Sequence, residues 1–358
     1  MKRVLLLTGP NPELQTTRCC ECLRAGLGAD IEIREQHIAG RGFIGPVSKV
    51  LAVRRACRDR DIVHAWGYDA FKLATLATDK PIFYTPLPGD GVPAVRWLLL
   101  AQSRRSVQLL CLSLGDERFF VQNGVSPTGT QLVRPGVRPA RSLARDANLR
   151  RLLGLRDDEV VILGLGESEP VANHLLTLRA ADILHSMDPK YRLILWGRGR
   201  QIASILTLQD HWKVTVAVNA TRQLGRPIEF EELIPAANLG LLTCTERPSV
   251  FPLLAAMAGG LPVVAPATHS VSDILEDHHT ALLYAHPTPK SVAQRLLRLA
   301  EDVPLQTKLA DRARAEAYEL FPISGFVDRM RQLYLNPPGL IAHPIRLQSA
   351  DNIFHVQG

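Results

Sequence analysis

The sequence predicts an α/β protein made of two doubly wound parallel-sheet units. Three observations carry this. The chain has 358 residues, enough for two domains of ordinary size. Short apolar runs alternate with helix-like segments along most of its length, and strands separated by helices imply right-handed βαβ units and a parallel sheet. The alternation is interrupted at the Arg/Ala/Asp-rich stretch Pro139–Asn148 and then starts again. Hydrophobic residues make up 46% and charged residues 22%, which fits a globular chain and argues against disorder. No apolar run approaches the roughly 18 residues needed to span a bilayer.

The first unit opens with the strand Val4–Thr8, closed by Gly9-Pro10-Asn11-Pro12. Two basic residues precede an apolar run of about five residues, below the ~7–15 of a signal-peptide core. The segment therefore reads as a buried first strand and the protein as cytoplasmic. Helix signals follow over Glu13–Ala25, then a short strand at Ile31–Ile33 and a helix at Val47–Arg58 with Arg54, Arg55 and Arg58 on one side. Asp61–Ala65, Pro81–Thr85, Leu109–Ser113 and Gln131–Val133 read as further strands, with a helix near Ala70–Ala77 and an apolar segment at Val92–Leu100.

The second unit starts at Glu159 with VVILGLG. A helix at His174–Ala181 leads to YRLILWGRGR, then a helix at Arg200–Leu206 and KVTVAV. A helix at Glu231–Ala237 and a strand at Leu239–Thr243 precede a polar, proline-bearing turn. The short helix PLLAAMA stops at Gly259-Gly260, and Leu261-Pro262 leads into the strand Val263–Ala265. Amphipathic helices cover Ser291–Leu299 and Leu305–Leu320. Residues 336–358, with Pro337-Pro338 and little periodicity, read as a surface tail.

The six cysteines include Cys19-Cys20-x-Cys22, but no second Cys/His pair stands at zinc spacing, so reduced and mostly buried thiols are expected. Charge is uneven. Residues 1–150 hold 22 Lys/Arg and 13 Asp/Glu, a net of +9; the remainder holds 20 and 22, a net of −2. A basic first half suits an anionic partner such as an acidic membrane surface. Nucleic acid is not expected, because the basic residues are scattered and no nucleic-acid motif is present.

The stretch Thr243–Ala265, TCTERPSVFPLLAAMAGGLPVVA, resembles the nucleotide-sugar module of the GT-B glycosyltransferases, family 4 (group 1). DIVHAWGYDAFKLATLA, KPIFYT, LLCLS and LVRPGVRP resemble that family's acceptor-domain strands and interdomain turn, and FPISGFVDRMRQLYL its closing segment. The resemblance covers about residues 1–335. It implies a GT-B fold of two Rossmann-like domains: an acceptor-side domain over 1–138, a nucleotide-sugar-side domain over 139–318, and a helix at 319–335 that crosses back to the first domain. It also implies metal-independent, retaining transfer from a nucleotide-sugar donor to a glycan or lipid-linked acceptor, with no other cofactor.

The same resemblance shows substitutions at the chemical positions. The Arg and Lys that the family sets on the diphosphate are here Glu167 and Ala172. The acceptor-domain His is Leu87. The two glutamates with seven residues between them are here Arg247 and Ala255, with Glu246 one step away. Gly197 and Gly199 match the family's strand-end Gly-x-Gly, and the helix opening near Pro252 offers free N–H groups to an anion. Gly197, Gly199, Glu246, Arg247, Ser249, Pro252 and Asp273 are the candidate substrate-binding residues. Arg198 and Arg200 are further candidate cations, and His64, His174, His269, His278 and His279 are candidates for acid–base work. No catalytic residue and no metal ligand is assigned. Two readings stay open: an active glycosyltransferase, and a GT-B pseudoenzyme that binds or scaffolds, which the substitutions favour.

Overall fold

The computed structural model describes residues 1–38, 45–139, 145–209, 214–217, 220–244 and 247–338. Two six-stranded sheets, each parallel throughout, form its two halves. The first comprises β1 (Lys2–Thr8), α1 (Leu14–Gly26), β2 (Ile31–His37), α2 (Pro46–Cys57), β3 (Ile62–Trp66), α3 (Tyr68–Ala77), β4 (Ile82–Thr85), α4 (Val92–Gln102), β5 (Val107–Cys111), α5 (Leu114–Gln122) and β6 (Thr130–Leu132). The second opens with α6 (Ala147–Leu152), β7 (Val160–Gly164), α7 (His174–Met187), β8 (Tyr191–Leu195), α8 (Ile202–Gln209), β9 (Thr215–Ala217), α9 (Ala220–Leu224) and α10 (Phe230–Leu233). It continues through β10 (Leu239–Leu241), α11 (Phe251–Ala258), β11 (Val263–Pro266), α12 (His269–Ser272), β12 (Leu282–Tyr284), α13 (Pro289–Glu301), α14 (Val303–Leu320) and α15 (Ile323–Leu335).

Strand order explains where a site can form. The first sheet runs β2-β1-β3-β4-β5-β6 and the second β12-β11-β10-β7-β8-β9. Order reverses beside β1 in the first and beside β7 in the second. Crevices open outside the carboxyl ends of strands at such reversals. The loops after β1 and β7 approach each other there, since the Leu14 N–H meets the Glu167 carboxylate.

The central strands read as unbroken apolar runs because helices cover both faces of a parallel sheet. On one face of the first sheet α2, α3 and α4 pack through Val53, Phe71, Ala74, Val95 and Leu98. On the other lie α1 and α15. The closing helix therefore does return to the first domain: Phe326, Met330, Leu333 and Tyr334 are buried against Cys19, Cys20, Cys22 and Leu23. All six cysteines are buried and free, and burial raises the Cys19 and Cys20 thiols well above their ordinary range. His64 anchors this layer. Its ring lies 2.6 Å from the Tyr334 hydroxyl and 2.8 Å from Thr85 Oγ1, and stacks on Trp66 at 4.6 Å.

Several elements differ from the sequence expectation. α5 was not anticipated, although Ser113 caps it by accepting from the Asp116 N–H at 3.1 Å, the short-range pattern of a helix start. α6 starts at the end of the stretch read as a boundary and is capped by Asp146. The helix expected at Glu231–Ala237 is a single α-turn followed by a 3₁₀ turn at Ile234–Ala236, with Pro235 as its second residue. The expected tail lies outside the described residues from 339 onward. Among the described residues no helix is long and apolar enough to cross a membrane.

Candidate functional site

The cleft between the halves is lined by the loops that follow β1, β4, β7, β8 and β10. Gly166, Gly197 and Gly199 have φ of 107°, 83° and 123°, which a side chain disfavours. At Gly199 a Cβ would also sit 2.6 Å from the Ser168 backbone. The two candidate glycines thus shape a tight turn after β8 that packs on the loop after β7.

Two helix starts converge here. α1 begins at Leu14 and α11 at Phe251, and each presents unpaired N–H groups with a partial positive charge. Side chains of this chain satisfy both. Gln15 Oε1 accepts from the N–H groups of Val250 at 2.8 Å and Phe251 at 3.2 Å, and from Ser249 Oγ at 3.3 Å. Glu167 Oε2 accepts from the Leu14 N–H at 2.9 Å. The candidate Ser249 therefore points at Gln15. Pro252 lies inside the first turn of α11, within reach of Gly166.

The cations near the cleft are engaged as well. Arg198 Nε stands 3.4 Å from Glu167, and its guanidinium also donates to the Pro12 carbonyl at 3.1 Å. Arg200 pairs with Glu169 at 2.6 Å. Arg247, read from sequence as a loop charge or a replacement cation, is buried in the opposite domain. Its guanidinium lies 3.2 Å from Asp116, donates to the Asp90 carbonyl, and rests 4.1 Å from the centre of the Phe119 ring. Asp273 also crosses the cleft, pairing with Arg134 and accepting from the Leu114 N–H that opens α5 at 3.4 Å. Arg18 adds a third tie, to Glu231 at 2.8 Å and Glu229 at 2.5 Å. Glu246 lies outside the described residues.

The cavity between Glu13, Pro88, Gly166, Glu167, Glu169 and Ser249 measures about 30 Å³, room for about two waters. A larger cavity of about 460 Å³ lies between α1 and α11, bordered by Arg18, Val137, Glu231, Ile234, Phe251 and Ala255. Among the histidines, His174 is buried at the start of α7 and His64 in the α15 layer, so neither reaches the cleft surface. Sequence reasoning missed Gln15, Glu13 and Asp116. The only local signal was the helix start after Pro12, which says where a cap is needed but not what will dock on it.

Burial sets the charge state of the acids. Burial first, then the carboxylates of Glu167, Glu169 and Asp90, pushes Glu13 up to about 8. Burial also raises Glu167, Asp90 and Asp116 above their usual range. An unfolded glutamate ionises near 4.5, whereas native Glu13 keeps its proton to about 8. The native state binds more protons in that window, so stability falls as pH rises through it. His64 and His174 act oppositely. Burial lowers them to about 3 and about 4, from 6.5, so stability falls as pH drops below 6.5. Thermal melts across pH should pass through a maximum near about pH 6–7, and the Glu13→Gln variant should lose most of the alkaline decline. An unchanged decline in that variant would show that Glu13 does not cause it.

Two doubly wound domains, joined by a returning C-terminal helix and facing a cleft at their strand ends, give this chain the GT-B fold. Residues 146–316 match the family model "Glycosyl transferases group 1", so the second half is similar to that family. Among curated proteins, N-acetyl-alpha-D-glucosaminyl L-malate synthase of Bacillus anthracis is 26% identical over 182 residues, 48% of this chain and 46% of that protein. The chain thus matches about half the length of this relative. Among solved structures, Anabaena HepE in complex with UDP and glucose aligns with a TM-score of 0.77 at 16% identity, covering 94% of this chain and 100% of that one. WaaG, a glycosyltransferase involved in lipopolysaccharide biosynthesis, aligns with a TM-score of 0.68 at 15% identity, covering 93% of this chain and 100% of that one.

Proposed function

We propose that this is a glycosyltransferase-type protein whose donor cleft is occupied by its own side chains, and that it acts as a binding or scaffolding protein. In this reading residues 1–138 are the acceptor-side domain, 139–318 the nucleotide-sugar-side domain and 319–335 the crossing helix. The basic first domain meets an anionic partner. The observation that carries the reading is Gln15 Oε1 on the N–H groups of Val250 and Phe251, where the family resemblance places the donor diphosphate. Three neutral hydrogen bonds contribute about 2–4 kcal/mol in all, and two missing charge-assisted bonds cost about 3–6 kcal/mol. Against the roughly 8 kcal/mol of a micromolar site, that leaves millimolar binding or weaker. Calorimetry with UDP, UDP-glucose and GDP-sugars is therefore expected to give dissociation constants no tighter than about 1 mM. A low-micromolar constant for any of them would overturn the reading.

The second reading is transfer of a sugar from a nucleotide sugar to a glycan or lipid-linked acceptor. The similarity to named transferases supports it, as does the cavity of about 460 Å³ beside Ala255, which falls within the size range of ligand pockets. It requires Gln15 and Glu167 to leave the two helix starts. Release of UDP from UDP-glucose that rises in Gln15→Ala, with the glucosyl group recovered on an added glycan or lipid acceptor and not as free glucose, would establish it.

A further inference from the structure

The outward faces of α2, α3 and α4 carry a pattern that the cleft does not use. The three helices lie side by side on one face of the first sheet. Trp97 of α4 donates to Thr75 Oγ1 of α3 at 2.9 Å, which fixes that pair. Residues four apart share a helix face, and on α2 the exposed line is Val47, Leu51, Arg55 and then Arg58. On α3 it is Lys72 and Leu76. On α4 and the turn after it the line is Val92, Arg96, Leu100 and Arg104. The apolar members are well exposed: Val47 73%, Leu51 47%, Leu76 54%, Val92 45% and Leu100 44%.

Arg54, Arg55, Arg58, Arg96 and Arg104 are exposed and have no ion-pair partner among the described residues, while Lys72 rests 5.4 Å from the centre of the Trp97 ring. The acids nearby are Asp69 at the start of α3, Asp59, paired with Arg60, and Asp79, 3.5 Å from Arg105. A face that only keeps a protein soluble gains nothing from valine and leucine repeated between its arginines. A bilayer interface uses both kinds of side chain, with headgroup phosphates for the guanidiniums and the acyl boundary for the apolar tips.

We propose that the α2–α4 face docks on an anionic phospholipid bilayer. This rests on the reading that the first domain meets an anionic partner, and it does not depend on what fills the cleft. The test uses the full chain and two kinds of vesicle, phosphatidylglycerol mixed with phosphatidylcholine and phosphatidylcholine alone. The expected result is co-sedimentation with the first and not the second, weakened by salt and not competed by inorganic phosphate at comparable phosphate concentration. Arg54→Glu with Arg55→Glu and Arg58→Glu should reduce partitioning at least about 100-fold, since each basic residue is worth about five-fold. Leu51→Asp with Leu100→Asp should reduce it with all six cations kept, and Leu51→Met with Leu100→Met should restore it. Melting curves of each variant report whether the fold is intact. Equal binding to both vesicles, binding to neither, full competition by phosphate, preference for duplex DNA, or indifference to the leucine changes would each overturn the proposal. UDP calorimetry on the same variants should match the parent, so failure of the membrane face and failure of the cleft reading give different patterns.

Discussion

Arg247→Ala is expected to destabilise the protein by about 3–5 kcal/mol and to loosen its cleft. The guanidinium is buried between Asp116, the Phe119 ring and two backbone carbonyls of the opposite domain. Removing it leaves Asp116 buried without its cation, and a buried pair broken on one side costs about that much. Burial already raises the Asp116 carboxyl despite Arg247, so the variant should protonate it at higher pH still. Urea unfolding measures the loss, and small-angle scattering should show a larger radius of gyration as the domains separate. Arg247→Met combined with Asp116→Leu should recover most of the stability, because an apolar pair leaves no charge stranded. A single variant as stable as the parent would show that the tie between domains lies elsewhere, in Arg18 or Asp273.

The second large effect is a gain. Glu167→Arg with Ala172→Lys and Gln15→Ala should raise UDP affinity by ~100- to 10,000-fold, the equivalent of two charge-assisted bonds at about 1.5–3 kcal/mol each. The triple change puts cations at the two positions where the resemblance expects them and frees the Val250 and Phe251 N–H groups. It also removes the carboxylate from the Leu14 N–H, so a modest fall in melting temperature accompanies it. Isothermal titration with UDP reads the result. No gain in a folded triple variant would mean that something other than these three side chains closes the site to nucleotides.

The fold was legible because a parallel sheet covered on both faces writes itself as apolar runs, as in VLLLT of β1 and VVILG of β7. The crossing helix was legible only through the resemblance of FPISGFVDRMRQLYL to the family's closing segment. α5 was not, because its sequence LGDERFFVQ has no clean apolar stripe and its start rests on one serine. The substitutions at Glu167 and Ala172 could be read by position, but their consequence could not. Gln15 meets Val250 across 235 residues, and Arg247 meets Asp116 across 131. Such pairings depend on how two domains dock, and no local pattern encodes them. Arg247 looked like a solvated loop charge for the same reason: its loop is local, while its burial is supplied by the other half of the chain.

The layer formed by α15 has a bearing on how the chain is made. β1 and α1 leave the ribosome first, yet the side chains that cover Cys19, Leu23 and His64 come from Phe326, Met330 and Tyr334. At about 5–20 residues per second, the roughly 200 residues between β6 and the end of α15 take roughly 10–40 s to synthesise. Through that interval one flank of the first sheet lacks α15 while the second domain is still being translated. The flank is then covered by α1 alone until the last helix docks, so a chain truncated before α15 is expected to expose apolar surface there.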